Sequence, residues 1–156
     1  MASRRNTKVK LSQYYDQALV VSQTAEPDFT KALRLLNRAC NQGDHRAAYA
    51  LATWYLHGKG NLVTKDLVRA AQLLRQAAES DNPDAAYDLA VSYEKGMGVR
   101  KSEKRAARLY LKAALLGDKQ SIYHVGRCYQ HGVGVKRDRP IAEIWYNRAE
   151  KLGFRR

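Results

Sequence analysis

Apolar positions in this chain follow a helical rhythm that glycine interrupts at regular intervals. Ala48, Leu51, Ala52 and Tyr55 share one helical face, with polar residues between them, and the run stops at Gly58. A second face follows, made by Ala70, Leu73, Leu74, Ala77 and Ala78. The same two-block pattern then recurs. Ala47-Ala48-Tyr49-Ala50-Leu51-Ala52 is echoed by Ala85-Ala86-Tyr87-Asp88-Leu89-Ala90 and, more loosely, by Ser121-Ile122-Tyr123-His124-Val125-Gly126. Tyr49 to Tyr87 spans 38 positions and Tyr87 to Tyr123 spans 36, a period that marks a stacked array of helix pairs.

The second blocks align equally well. Ala32, Ala70, Ala106 and Ala142 correspond, as do Ala39, Ala77, Ala113 and Ala149, and Gly43, Asp81, Gly117 and Gly153 close the units. Gly58 to Ala70 is 12 positions whereas Gly96 to Ala106 and Gly132 to Ala142 are each 10, so the first full unit carries a two-residue insertion within 61–66. Asn82-Pro83, Ser102, Asp118 and Asp138 are helix-start signals, with Pro83 and Pro140 where a first turn tolerates proline. Leu11–Gln23 and Pro27–Asn41 supply one more pair, whose first helix lacks the Gly-x-Gly ending and reads as a divergent cap. The expectation is an all-α solenoid of about eight helices. Its units are a partial repeat at 11–44 and full repeats at 45–82, 83–118 and 119–154, flanked by tails at 1–10 and 155–156. Function in such an array usually lies on the stacked surface rather than in a catalytic pocket.

Residues 85–118 carry the fullest copy of the motif: Tyr87, Leu89, Tyr93, Gly96, Gly98, Val99, Ala106, Ala107, Tyr110, Ala113, Ala114, Gly117 and Asp118. This string resembles the Sel1-like repeat, a relative of the tetratricopeptide repeat. The resemblance implies a right-handed superhelix of helix pairs, a bacterial source, and an adaptor that binds other proteins through its concave face. Secreted cysteine-rich relatives pair cysteines within each unit, and this chain does not. Gly126 in place of Ala52 and Ala90, and Ser121-Ile122 in place of Ala-Ala, make the third full unit the least typical.

Charge adds a second theme. Lys and Arg number 28 against 15 acids, a net +13. Arg4, Arg5, Lys8 and Lys10, with Lys151, Arg155 and Arg156, account for seven of these charges, leaving +6 for residues 11–150. Cys40 and Cys128 lie too far apart along the stack to pair, which points to a reducing compartment. With no apolar run long enough to span a bilayer and no apolar segment behind the basic N-terminus, the reading is a cytoplasmic protein that binds no membrane.

Candidate chemistry is sparse. The three Gly-x-Gly pairs follow helices rather than strands and repeat three times, so they are helix stops and not phosphate loops. His57 and His131 occupy one repeat position but two units apart, and His124 and His131 are separated by about 10 Å along one helix, so no metal or other cofactor is expected. No nucleophile has an adjacent base and orienter in sequence, and the expected protein is not an enzyme.

Two surfaces remain. First-helix positions between the core positions form the expected groove: Ala50, Thr53, Trp54 and His57, then Asp88, Val91, Ser92 and Lys95, then His124, Arg127, Cys128 and His131. Trp54 fits either a partner anchor or a gap filler between units. Tyr49, Tyr87 and Tyr123 fit packing better than a groove rim. Lys101, Arg105, Arg108 and Lys112, spaced 4, 3 and 4 with Lys104 beside them, form a basic stripe that is either a solvated outer face or a docking strip. The functional expectation is an adaptor gripping an acidic protein or peptide in the groove, monomeric in isolation because Glu143, Asn147 and Glu150 give the last helix a polar face. One alternative is an immunity- or antitoxin-type inhibitor of one cognate protein, suggested by compact size. Another is a nucleic-acid-binding accessory protein using the tails and the stripe.

Overall fold

The computed structural model describes residues 12–154; the basic segments 1–10 and 155–156 lie outside the described residues. The chain forms eight helices in sequence: α1 Gln13–Ser22, α2 Phe29–Asn41, α3 His45–His57, α4 Leu67–Ala77, α5 Pro83–Lys95, α6 Glu103–Leu115, α7 Lys119–His131 and α8 Arg139–Lys151. No strand occurs among the described residues, only an isolated bridge between Lys59 and Val63. Contacts run between helices adjacent in the chain, as a solenoid requires.

Every helix starts with a side chain that accepts a hydrogen bond from its own first turn. Ser12, Asp28, Asp44, Asp66, Asn82, Ser102, Asp118 and Asp138 do this in order. The four starts expected from sequence are among them. Each such cap stabilises its helix by about 1 kcal/mol, so the eight boundaries are locally encoded. At the other end, Gly96 and Gly132 stop α5 and α7 in left-handed conformation.

The interior is built largely from alanine. Ala39, Ala47, Ala48, Ala52, Ala70, Ala77, Ala85, Ala86, Ala90 and Ala113 are fully buried, so helix axes pack closely, with Leu51, Leu74, Tyr110 and Ile122 filling what remains. Gly126 fits this scheme, because a Cβ there would lie 2.8 Å from the ring of Tyr146.

Successive units join at two kinds of contact. Odd helices meet odd helices where the Tyr49 hydroxyl donates to Asp88 (3.1 Å) and the Tyr87 ring packs 5.7 Å from the His124 ring. Even helices meet even helices where Gln76 Nε2 donates to the Cys40 carbonyl (3.1 Å) and Lys112 Nζ donates to the Ala78 carbonyl (2.5 Å). The two faces of the stack are therefore an odd-helix face and an even-helix face. The insertion after α3 leaves this register intact. Asp66, Ser102 and Asp138, at one repeat position, donate their backbone N–H to Tyr55, Tyr93 and Tyr129, each at 2.9 Å, despite the two extra residues.

Candidate functional site: the odd-helix face

The groove positions read from the sequence separate into two groups. Trp54, Ser92 and Cys128 hold one repeat position, and that position faces inward. Ser92 and Cys128 are buried at 1% and 3% exposure, and the Ser92 hydroxyl donates to its own helix at Asp88 O. Ser92 nevertheless lines the recess between α3 and α5. Trp54 is half-buried, with the Phe29 ring set edge-to-face at 6.1 Å between ring centres and Lys59 Nζ 5.5 Å from its ring centre. The gap-filling reading of Trp54 is the one this packing supports. Cys40 and Cys128 are free and buried; burial pushes the Cys128 thiol up to about 11, so it is an inert packing group.

Ala50, Thr53, Asp88, Val91, His124 and Arg127 are half-buried and His57, Lys95 and His131 are exposed, so nine of the candidates reach the odd-helix surface. A recess of about 280 Å³ opens between α3 and α5. Leu56, Val91 and Met97 give it apolar walls, Asp88 a carboxylate, and His57 and Lys65 polar edges. Burial raises the pKa of Asp88; the hydrogen bond from Tyr49 opposes this rise and the charge of Asp84 reinforces it. A half-buried carboxylate with one hydroxyl donor and no ion pair among the described residues is costly to fold around. A larger depression, about 740 Å³, lies on the loop rim between Leu33, Tyr55 and Gly98 and contains none of the groove candidates.

Further along, α5, α6 and α7 share a polar network that sequence reasoning missed. Glu94 accepts from the Tyr110 hydroxyl (2.6 Å) and pairs with Arg127, whose Nη2 also lies 3.3 Å from His124 Nδ1. The His124 and Tyr110 rings stack at 4.5 Å. Burial alone would raise the Glu94 pKa, but the Tyr110 and Arg127 hydrogen bonds outweigh it and hold the carboxyl below its usual range. Burial, helped by Arg127, lowers the pKa of His124 and favours its neutral imidazole. Arg127 is thus committed largely inward. Glu94 and Arg127 are 33 residues apart, so only the register of the stack brings them together.

Charge is partitioned between the two faces. The odd helices carry four acids (Asp16, Asp84, Asp88, Glu94) and four bases (Arg46, Lys95, Lys119, Arg127). The even helices carry twelve bases against Glu103, Glu143 and Glu150, a net +9. The basic excess of the helices therefore sits on the even-helix face. Of the basic stripe, Lys104, Arg105 and Arg108 are exposed and Lys101 lies 3.9 Å from Glu103. Lys112 leaves the stripe: its ammonium caps the C-terminal end of α4 at Ala78 O and Ser80 O.

Among the described residues no group of three or more His, Cys, Asp or Glu could hold a metal, and no helix is long and apolar enough to cross a membrane.

Comparison with known proteins places this geometry. A family model described as Sel1 repeat matches four times, over residues 11–44, 45–82, 83–118 and 119–154. Among solved structures, a Sel1 repeat protein from Oxalobacter formigenes matches at 24% identity and TM-score 0.84, covering 97% of this chain and 63% of that one. A protective antigen of uropathogenic Escherichia coli with an SLR fold matches at 30% identity and TM-score 0.81, covering 90% and 30%. An immunity protein from Pseudomonas aeruginosa matches at 21% identity and TM-score 0.57, covering 90% and 53%. The first and third likenesses are of fold. The chain spans less than two thirds of the length of each of these proteins.

Proposed function

The chain belongs to the Sel1 repeat family, whose fold is typical of protein–protein interaction modules, and from that premise we propose that it is a non-catalytic adaptor gripping a polypeptide on its odd-helix face. The observation that carries this reading is the α3–α5 recess. Alanines and tyrosines common to the repeats build the stack, whereas Asp88 and Val91 differ from their counterparts in the other full units and meet His57, which recurs only as His131, at one concavity. Burial raises the pKa of Asp88, and carboxylates perturbed in this way are enriched at functional sites. The recess suits a partner side chain with an apolar stem and a hydrogen-bonding or positively charged head. His57, Lys95 and His131 offer exposed polar contacts to the rest of the segment. Because charges on this face balance, an acidic partner finds its complement on the other face.

The test is affinity capture with the intact chain and with Val91→Arg, which fills the recess from a half-buried position at the edge of the core, its folding checked by circular dichroism. Partners captured by the wild type and lost by a folded Val91→Arg support the reading. An identical set of partners at identical yield moves the site elsewhere. A narrower version, inhibition of one cognate protein, has a fold-level parallel in the Pseudomonas aeruginosa immunity protein. A single partner bound one-to-one in the capture would select it over a general adaptor.

A further inference from the structure

The even-helix face carries a second, independent surface. Positions 31, 69 and 105 are equivalent in the repeat and hold Lys31, Arg69 and Arg105; one turn on, positions 34, 72 and 108 hold Arg34, Gln72 and Arg108. All six are exposed, and none of the five bases forms an ion pair with another described residue. The repeat thus lines up two short columns of cations across α2, α4 and α6. Like charges in register repel one another, so the arrangement is unfavourable until an anion neutralises it.

The columns change character at α8, where the equivalents are Ile141 and Ile144, the latter 67% exposed. Val68, beside Arg69, is 57% exposed as well. A phosphate backbone has no use for exposed isoleucine, and no aromatic side chain stands on these columns to stack a base. An acidic polypeptide with an apolar residue at one end matches both features. Even helices touch where Gln76 reaches Cys40 and Lys112 reaches Ala78. Packed helices lie on the order of 10 Å apart and an extended chain advances about 3.3 Å per residue, so an acid at roughly every third residue meets successive cations of one column.

We propose that the even-helix face binds an extended acidic segment of a protein, with acids on the Lys31–Arg69–Arg105 and Arg34–Arg108 columns and an apolar residue against Ile144. The chain is then two-sided, with a mixed-charge groove on one face and an acidic-segment site on the other, and this surface stands whether or not the odd-helix reading holds.

The test uses the full chain and two fluorescent probes, an acidic peptide with aspartates at every third position and a terminal leucine pair, and a DNA duplex of equal charge. Fluorescence anisotropy is read at about 50 mM and about 150 mM salt, where screening separates local from diffuse attraction. Lys31→Glu/Arg69→Glu/Arg108→Glu spares Arg105, whose side chain donates to the Tyr93 hydroxyl (3.3 Å). Lys119→Glu/Lys136→Glu/Lys151→Glu makes the same change in net charge at exposed sites off the columns. The column variant is expected to lose peptide affinity by about tenfold or more and the control by about twofold, since each exposed pair contributes modestly. Ile144→Ser lowers peptide affinity severalfold and leaves duplex binding unchanged. Should the column variant fail to fold, the same positions as Gln replace it. Equal losses in both triple variants, or tighter binding of the duplex than of the peptide with no effect of Ile144→Ser, would overturn the proposal.

Discussion

Gly98→Ala isolates what holds one repeat against the next. Gly98 sits in the turn after α5 at φ +69°, and a Cβ built there lies 1.9 Å from the Leu67 carbonyl oxygen and 2.8 Å from Val68 N at the start of α4. Relief requires the α4 N-terminus to move by more than 1 Å, because ordinary Cβ contacts begin near 3.4 Å. The left-handed conformation itself costs an alanine about 1 kcal/mol. Forced displacement of packed backbone adds about 1–3 kcal/mol, giving about 2–4 kcal/mol in all. Gly60 provides the internal control. It holds the same repeat position at φ +53°, yet a Cβ there meets nothing within 4 Å. Gly60→Ala should therefore cost only the conformational term, about 1 kcal/mol. Urea unfolding followed by far-UV circular dichroism reads both. Because array stability is a sum over neighbouring interfaces, Gly98→Ala should also broaden the transition as the N-terminal and C-terminal units uncouple. Equal losses for the two alanines, with equally steep transitions, would refute the close-approach argument.

Three further outcomes follow from named contacts. Lys112→Met removes the donor to the Ala78 and Ser80 carbonyls and should cost about 1 kcal/mol in the same assay, whereas Lys104→Met should fall within about 0.5 kcal/mol of wild type. Asp44 is closed to solvent; burial would raise its pKa, but hydrogen bonds from Arg46 and the Ser12 N–H lower it. Its stabilisation is complete above the unfolded value of about 3.9 and disappears as pH falls through the lower folded value, so acid unfolding of Asp44→Asn should show a shallower pH dependence than wild type. Asp88 has the opposite sign. Its folded pKa is raised, first by burial, so its contribution to stability diminishes as pH rises through that value. Asp88→Asn, which keeps an acceptor for the Tyr49 hydroxyl, should be more stable than wild type near pH 7, with the gap closing in acid, and should bind the odd-face partner less well; lower stability at neutral pH would contradict it.

The fold was largely legible because its determinants are local and repeated. Caps at Asn82, Ser102, Asp118 and Asp138, glycines at 96 and 132, and alanine faces each act within a few residues, and three copies average out accident. The site was legible only in part. Trp54 lies seven residues after Ala47, two helical turns along the buried face, so helical periodicity alone could have placed it, Ser92 and Cys128 inward. Lys112 looked like the end of a basic stripe because its acceptors belong to a helix end more than thirty residues away. The Glu94–Arg127 pair and the split of charge between faces likewise depend on which helices share a side of the stack. Sequence supplies the residues of such contacts, and the superhelical register decides which of them meet.

The central claim, that the odd-helix face is where the partner binds, is tested most directly by hydrogen exchange on the chain alone and bound to its captured partner. The account predicts that slowed exchange concentrates in α3 and α5 around His57, Asp88 and Val91, and extends into α7. Protection confined to α2, α4 and α6, or to the two ends of the stack, would contradict it.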